Sequence, residues 1–309
     1  MPDLEVDDAP EDHSEDRGLE DAAAVFASVR PRLFGIAYRL LGSWTEAEDV
    51  VQEAWLRWQG TDRTQVRNPG AFLATTTTRL GLNVATSARA RRESYVGPWL
   101  PEPVDTSADP ALGAVQGQEV ELALLLLLER LTPTERAAYV LRESFDYPYP
   151  EIAEILGLSP ANVRQLVSRA RKHLGGERRE PVAPGAHRRL LEAFVRAAQT
   201  GDVVGLERLL ADDVVSLSDG NGVRGVARVP VVGRTKVARF VAAFRPRFWP
   251  GTQNAWVEAN GHPGLLINVD GAPLAMLTVE ASAGVITQLQ WQVNPTKIDG
   301  FLRSAARFG

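Results

Sequence analysis

The stretch PEIAEILGLSPANVRQLVSRARKHL, residues 150–174, leaves the chain fewest choices. Apolar residues recur at Ile152, Ala153, Leu156 and Leu158, and again at Val163, Leu166, Val167, Ala170 and Leu174. That is helical spacing, repeated in two short blocks. Gly157 suits the left-handed end of a first helix, Ser159 is a good N-cap for a second, and Pro160 takes the first helical position, where its missing N–H costs nothing. Two short amphipathic helices across a three-residue turn spell a helix-turn-helix.

The outward face of the second helix indicates what it touches. Asn162, Arg164, Gln165, Ser168, Arg169, Arg171 and Lys172 remain once the apolar stripe is removed, and no acid occurs from Ser159 to Gly176. Amides and hydroxyls near a helix start, Ser159 included, can read base edges, while Arg and Lys further along neutralise phosphates. A solvated basic face on an ordinary hairpin is the plain alternative. The turn chemistry and the missing acids favour DNA.

A net charge of −5 suits a DNA binder poorly until its distribution is considered. Residues 1–21 carry ten acids against Arg17 alone, so the rest of the chain is net positive. Such a block of like charge with few apolar residues is expected to be a disordered tail. With no cysteine, disulfides and thiolate metal sites are excluded. The longest apolar run, Leu122 to Leu128, is too short to span a bilayer of ~30 Å, so a soluble, cytoplasmic protein without membrane contact is expected.

Helical pattern begins at Ala22 and runs to Leu41, where Gly42 closes it. Ser43 and Glu46 have capping-box spacing for a second helix to Trp58, rich in Glu46, Glu48, Asp49 and Glu53 early, where the helix dipole favours acids. These acids form a surface suited to a basic partner. A third helix, from Ala71 to about Arg92, gathers Arg79, Arg89, Arg91 and Arg92 with Asn83, Thr86 and Ser87 and no acid after Arg79, which suits a nucleic-acid backbone. Two basic helices on two small helical domains could read two DNA elements through a linker. Gly97-Pro98-Trp99-Leu100-Pro101-Glu102-Pro103 supplies that linker, Pro-rich and extended. Trp99 is unusual there and is expected to pack on a neighbouring domain. Leu124 to Leu128 is apolar all round, either core or a hydrophobic docking surface.

Ala47-Glu48-Asp49-Val50-Val51-Gln52-Glu53-Ala54-Trp55-Leu56 resembles the hallmark helix of extracytoplasmic-function (ECF) bacterial sigma factors. Phe72-Leu73 ahead of the Arg79–Arg92 helix resembles that family's promoter-melting segment. Leu131-Thr132-Pro133-Thr134-Glu135-Arg136, with Val163-Arg164 and Arg169-Ala170-Arg171-Lys172, resembles its second DNA-binding domain. Tyr95-Val96-Gly97-Pro98-Trp99-Leu100-Pro101-Glu102-Pro103 is similar to the linker of a subgroup that carries a C-terminal SnoaL-like domain. The resemblance implies that Glu48, Asp49, Gln52, Glu53 and Trp55 dock on the β′ clamp helices of core RNA polymerase. It implies that Arg79, Asn83, Thr86, Arg89, Arg91 and Arg92, with the preceding loop, hold the −10 element and trap a flipped base. The helix from Ser159 would read the −35 element of promoter DNA, and the Leu124 region would lie near the β flap. Asn83 stands where the family usually has Asp and Thr86 where it often has Arg, departures that bear on the −10 sequence preferred.

Beyond Gly176 the pattern changes. Helices His187–Thr200 and Val203–Leu210 precede strands at Val214–Ser218, Val223–Val229, Trp256–Ala259, Gly264–Asp270, Pro273–Glu280 and Val285–Val293, with a helix Arg234–Phe248 between them. Helices followed by a curved antiparallel sheet fit an α+β cone of the NTF2/SnoaL type. Asp219-Gly220-Asn221-Gly222 and Asn294-Pro295-Thr296-Lys297-Ile298 are similar to the Asp-Gly-Gly-Gly-Lys and Asn-Pro-Asp-Lys-Leu motifs of the SnoaL-fused subgroup, departing at Asn221, Val223, Thr296 and Ile298. With Trp99, Leu100 and Pro101 they imply an interdomain regulatory contact in cis.

The expected architecture is therefore multidomain: an acidic tail (1–21), two all-α sigma domains (22–94 and 114–176) joined by a linker (95–113), a hinge (177–185) and the SnoaL-like domain (186–309). His262 sits in a turn sequence and Asp270 before Gly271, and Trp249, Trp256 and Trp291 suit a core, so no catalytic constellation emerges. No cofactor or metal is expected either. Two rivals remain: a conventional helix-turn-helix regulator with a ligand-sensing domain, and a pocket enzyme fused to a DNA-binding module.

Overall fold

Three caps fix where the N-terminal helices begin and end. A computed structural model describes residues 13–107, 122–175 and 182–308. Helix α1 (His13–Leu41) stops at Gly42, whose φ of 63° is left-handed. Ser43 caps α2 (Trp44–Gln59) by accepting from the Glu46 N–H at 3.1 Å. The capping box is only half made there, because the Glu46 carboxylate turns to Arg91 at 2.5 Å. Asn68 caps α3 (Pro69–Glu93) in the same way, after a 3₁₀ turn at Arg63–Gln65.

Four short helices follow: α4 (Leu122–Leu128), α5 (Pro133–Glu143), α6 (Tyr149–Leu156) and α7 (Pro160–Leu174). Thr132 and Glu135 complete a full capping box at α5. Gly157 adopts φ 66° and Ser159 caps α7 through the Asn162 N–H at 3.2 Å, which is the turn the sequence spelled out. All seven helices share one apolar core from Ala22 to Leu174. Leu122, Leu125 and Leu128 are buried in it, which assigns the all-apolar helix to the core in this arrangement.

The C-terminal domain lays α8 (Pro184–Thr200), α9 (Val203–Leu209) and α10 (Arg234–Phe248) on a six-stranded sheet: β1 (Leu210–Asp219), β2 (Val231–Val232), β3 (Thr252–Ala259), β4 (His262–Val269), β5 (Ala272–Ser282) and β6 (Val285–Gln292). The strand order is β2-β1-β6-β5-β4-β3. Register shifts in the β1/β6, β4/β5 and β5/β6 pairs bend it into a cone. All three hairpins turn on two residues with positive φ, Asn260-Gly261, Asp270-Gly271 and Ala283-Gly284, the type I′ geometry that matches strand twist. Phe194, Trp249 and Trp291 pack between helices and sheet, and α11 (Pro295–Phe308) covers the opposite face through Ile298 and Phe301.

Several expectations change. Residues 1–12 of the acidic tail lie outside the described residues, and from His13 the chain is helical, continuous with the part of α1 that Ala22 and Phe26 anchor in the core. The sheet is mixed, since β1 runs parallel to β6. Val223–Val229 forms no strand: Asn221, Gly222 and Gly225 take φ of 42°, 86° and 86°, which an extended chain does not allow. β3 begins at Thr252 rather than Trp256, and α11 was not foreseen. Trp256 is 37 % exposed beneath Arg188 rather than core. His262 opens β4, half-buried with its ring 4.9 Å from that of His187, and is no exposed loop residue.

Candidate nucleic-acid and interdomain surfaces

Helix α7 buries Val163, Val167, Ala170 and Leu174 and therefore turns its other faces outward. Ser159, Asn162, Arg164, Gln165, Ser168, Arg169, Arg171 and Lys172 are all exposed. The Ser159 hydroxyl is engaged as the cap, Arg164 lies over the Tyr149 ring, and Arg171 pairs with Glu143 at 2.7 Å. The rest is an open basic surface.

Helix α3 is placed differently. Asn83 and Thr86 are exposed, but most of the arginines hold protein groups. Arg79 donates to the Ile155 carbonyl at 2.9 Å and the Glu154 carbonyl at 3.0 Å, so it caps the C-terminal end of α6. Arg89 reaches the Leu131 carbonyl at 3.4 Å, and Arg91 binds Glu46. Arg92 donates to the Leu41 carbonyl at 2.5 Å and to Glu129, and stacks 3.6 Å over Trp99. Glu129 also binds the buried Arg136, which reaches the Leu40 carbonyl at 2.7 Å. The two helical domains are thus latched together across α3.

Beside the start of α3 is an open groove of about 610 Å³ lined by Thr61, Asp62, Gln65, Val66, Arg67, Asn68 and Phe72. It combines polar donors with an aromatic ring, the pairing that holds an unstacked base. On α2, Asp49 and Gln52 are exposed, with Leu56 beside them at 53 %. Glu48 is held by Arg30 at 2.7 Å, Glu53 by Arg57 at 2.9 Å, and Trp55 packs on Phe26.

The most elaborate contact joins the linker to the C-terminal domain. Asp219, at the end of β1, is fully buried and accepts from the Leu100 N–H at 2.8 Å, the Lys297 ammonium at 2.7 Å and the Tyr95 hydroxyl. Lys297 also donates to the Leu100 carbonyl and lies 4.1 Å over the Trp99 ring. Asn294 donates through its side-chain amide to the Tyr95 hydroxyl at 2.9 Å, and its Oδ1 accepts from the Thr296 N–H as α11 starts at Pro295. Gln292 reaches the Pro101 carbonyl. Gly220 leaves no room for a side chain, since a Cβ there would lie 2.8 Å from Val226, and Gly222 sits against Val96. Burial, with the Asp219 hydrogen bond and charge, pushes the Tyr95 phenol well above its ordinary range. Burial lowers the Lys297 ammonium against the opposing pull of Asp219.

The structure thus brings Trp99, Leu100, Pro101, Asp219, Gly220, Gly222, Asn294, Pro295 and Lys297 together. It adds residues that sequence reasoning missed. Tyr38 donates to the Glu102 carbonyl at 2.5 Å and accepts from Asn260 at 3.0 Å, while Val104 and Asn260 exchange two hydrogen bonds of 2.9 Å. Asp105 forms one isolated antiparallel bridge to Ala259, so the linker touches the end of β3. Tyr95 was visible in the linker motif, but no local signal marks Tyr38 or Asn260.

Two helical domains, one carrying a helix-turn-helix and one an arginine-rich helix beside an open groove, have the arrangement of a promoter-directed DNA-binding protein of the sigma-70 type. Residues 25–92 match the family model described as Sigma-70 region 2, and residues 121–174 match Sigma-70, region 4. The chain is 38 % identical to the ECF RNA polymerase sigma factor SigJ of Mycobacterium tuberculosis over 292 residues, 89 % of this chain and 92 % of that one. It is 33 % identical to the probable ECF RNA polymerase sigma factor SigI of the same species, over 91 % of this chain and 96 % of the relative. The crystal structure of M. tuberculosis SigJ superposes with a TM-score of 0.74 at 36 % identity, covering 90 % of this chain and 98 % of that one, C-terminal cone included. The chain belongs to the ECF RNA polymerase sigma factors, which direct RNA polymerase to promoters. No helix among the described residues is long and apolar enough to cross a membrane.

Proposed function

We propose that this sigma factor is controlled in cis by its own C-terminal domain, through the contact of Asp219 and Lys297 with the linker. The supporting observation is that one continuous network runs from Lys297 and Asp219 through Trp99 to Arg92 and Glu129, and so to the latch between the helical domains. In this closed arrangement Arg79, Arg89 and Arg92 hold protein carbonyls instead of phosphates. Opening would release α3 to the −10 element, with Asn83, Thr86 and Arg91 along it and the Thr61–Phe72 groove for a flipped base. It would also let α7 reach the −35 element. The α2 surface of Glu48, Asp49, Gln52, Glu53 and Trp55 would dock on the β′ clamp, and the Leu124 region would lie near the β flap. The protein acts in the cytoplasm by binding, not by turnover.

Run-off transcription with core polymerase tests this reading. Full-length protein should give a promoter-specific transcript. Asp219→Ala should raise it at equal sigma concentration, by releasing the latch. An unchanged output from a folded Asp219→Ala protein would remove the regulatory contact. Tight duplex binding without any transcript would instead favour a conventional regulator.

A further inference from the structure

Residues 220–257 contain seven Lys and Arg and no Asp or Glu, a tract as free of acids as α7 in a chain whose net charge is negative. Arg234 and Arg245 serve the fold, bonding the Leu210 and Gln199 carbonyls. The other five, Arg224, Arg228, Lys236, Arg239 and Arg247, are exposed, and none pairs with a carboxylate among the described residues. On α10, Lys236, Arg239 and Arg247 fall at i, i+3 and i+11, which at 100° per residue is one stripe, with Ala243 in its middle. Val237, Ala238 and Val241 are buried on the opposite side. Phe240 and Phe244 pack on each other at 4.7 Å along its flank, with Phe244 36 % exposed. The tract begins beside the sigma domain that carries α3: the Arg228 backbone lies 3.5 Å from where a Gly97 Cβ would sit, four residues past the end of α3.

We propose that the exposed stripe of α10 is a further DNA-binding surface, which holds the phosphate backbone of duplex promoter DNA without reading its sequence. Charge complementarity selects that occupant. A stripe of cations with small and aromatic residues between them, and no amide or acid to address base edges, fits phosphates and sugars. The cone then adds sequence-independent affinity to a sigma factor whose two base-reading helices lie in other domains, and multiplies theirs by avidity. This rests on the sigma role, which promoter-specific transcription by the parent holoenzyme tests separately.

The test uses full-length protein assembled with core polymerase. The triple variant Lys236→Gln, Arg239→Gln, Arg247→Gln changes only exposed side chains. Its promoter affinity should fall alike for different promoter sequences, and the slope of log affinity against log salt should drop by about 2 to 3, near 0.9 for each phosphate no longer neutralised. Because the chain has no cysteine, Ala243→Cys can carry a tethered iron–EDTA group, which should cut bound DNA within a defined window. An unchanged salt slope in a holoenzyme that still transcribes, or no cutting from position 243 while a probe on α7 cuts, overturns the proposal and leaves the sigma reading intact.

Discussion

Replacing Asp219 with alanine removes the acceptor on which the linker is held. In the parent chain its carboxylate takes the Leu100 N–H, the Tyr95 hydroxyl and the Lys297 ammonium, all out of solvent. The variant leaves the Lys297 cation buried with only the Leu100 carbonyl and the Trp99 face, and strands two linker donors. Removing one member of a buried pair costs about 3–5 kcal/mol, because the surviving charge stays desolvated. At about 1.4 kcal/mol per decade, the equilibrium constant for docking the linker falls by roughly two to four decades. The Leu100 amide reports this directly through hydrogen exchange. Its protection should drop by at least about a hundredfold while the β4 and β5 amides keep theirs. Asp219→Asn retains one acceptor oxygen without the charge and should fall between. Leu100 protection within about threefold of the parent, in a variant with intact β4 and β5, would refute the electrostatic account of docking.

Three further outcomes follow from the same contacts. Gly42→Ala forces a side chain into φ 63° and sets its Cβ 2.9 Å from the Trp99 ring; a loss of about 1–3 kcal/mol is expected, seen as a lower thermal midpoint. Arg79→Gln deletes both hydrogen bonds to the end of α6. With the side chain partly in solvent, about 1–2 kcal/mol is expected, read as roughly tenfold faster exchange in α6 without loss of the α7 core. Tyr95 and Tyr38 both have phenols raised by burial. Their neutral forms make the bonds, so their contribution is complete below the ordinary tyrosine range near 10 and is lost as pH climbs through the raised values. The unfolding midpoint should therefore decline more steeply above pH ~10 in the parent than in Tyr95→Phe. Equal slopes would remove Tyr95 from the contact.

Legibility in the sequence followed the range of the interactions. The turn at Gly157–Ser159 and the face of α7 are local, set by a cap, a left-handed glycine and a 3.6-residue period, and they could be read directly. The Asp219 and Asn294 motifs were found by resemblance, since an aspartate before glycine reads as a turn until Lys297 is seen beside it. Val223, Val226 and Val229 supply the β-branched content of a strand, yet left-handed Asn221 and Gly222 before them and Gly225 among them keep the segment in a loop. Tyr38 and Asn260 are 222 residues apart and carry no periodic signature. Closed packing of the two helical domains was equally hidden, because Arg79 looks the same in sequence whether it meets a phosphate or the end of a helix.

The closed arrangement is expected to open when the protein engages polymerase and promoter. The absence of cysteine permits a clean pair of labels at Glu93→Cys, at the end of α3, and His173→Cys, at the end of α7, both exposed positions. Energy transfer between them should be high in the free protein and fall on addition of core polymerase and promoter DNA, with Asp219→Ala shifted toward the low value before any addition. High transfer that persists in a transcribing complex would contradict the account.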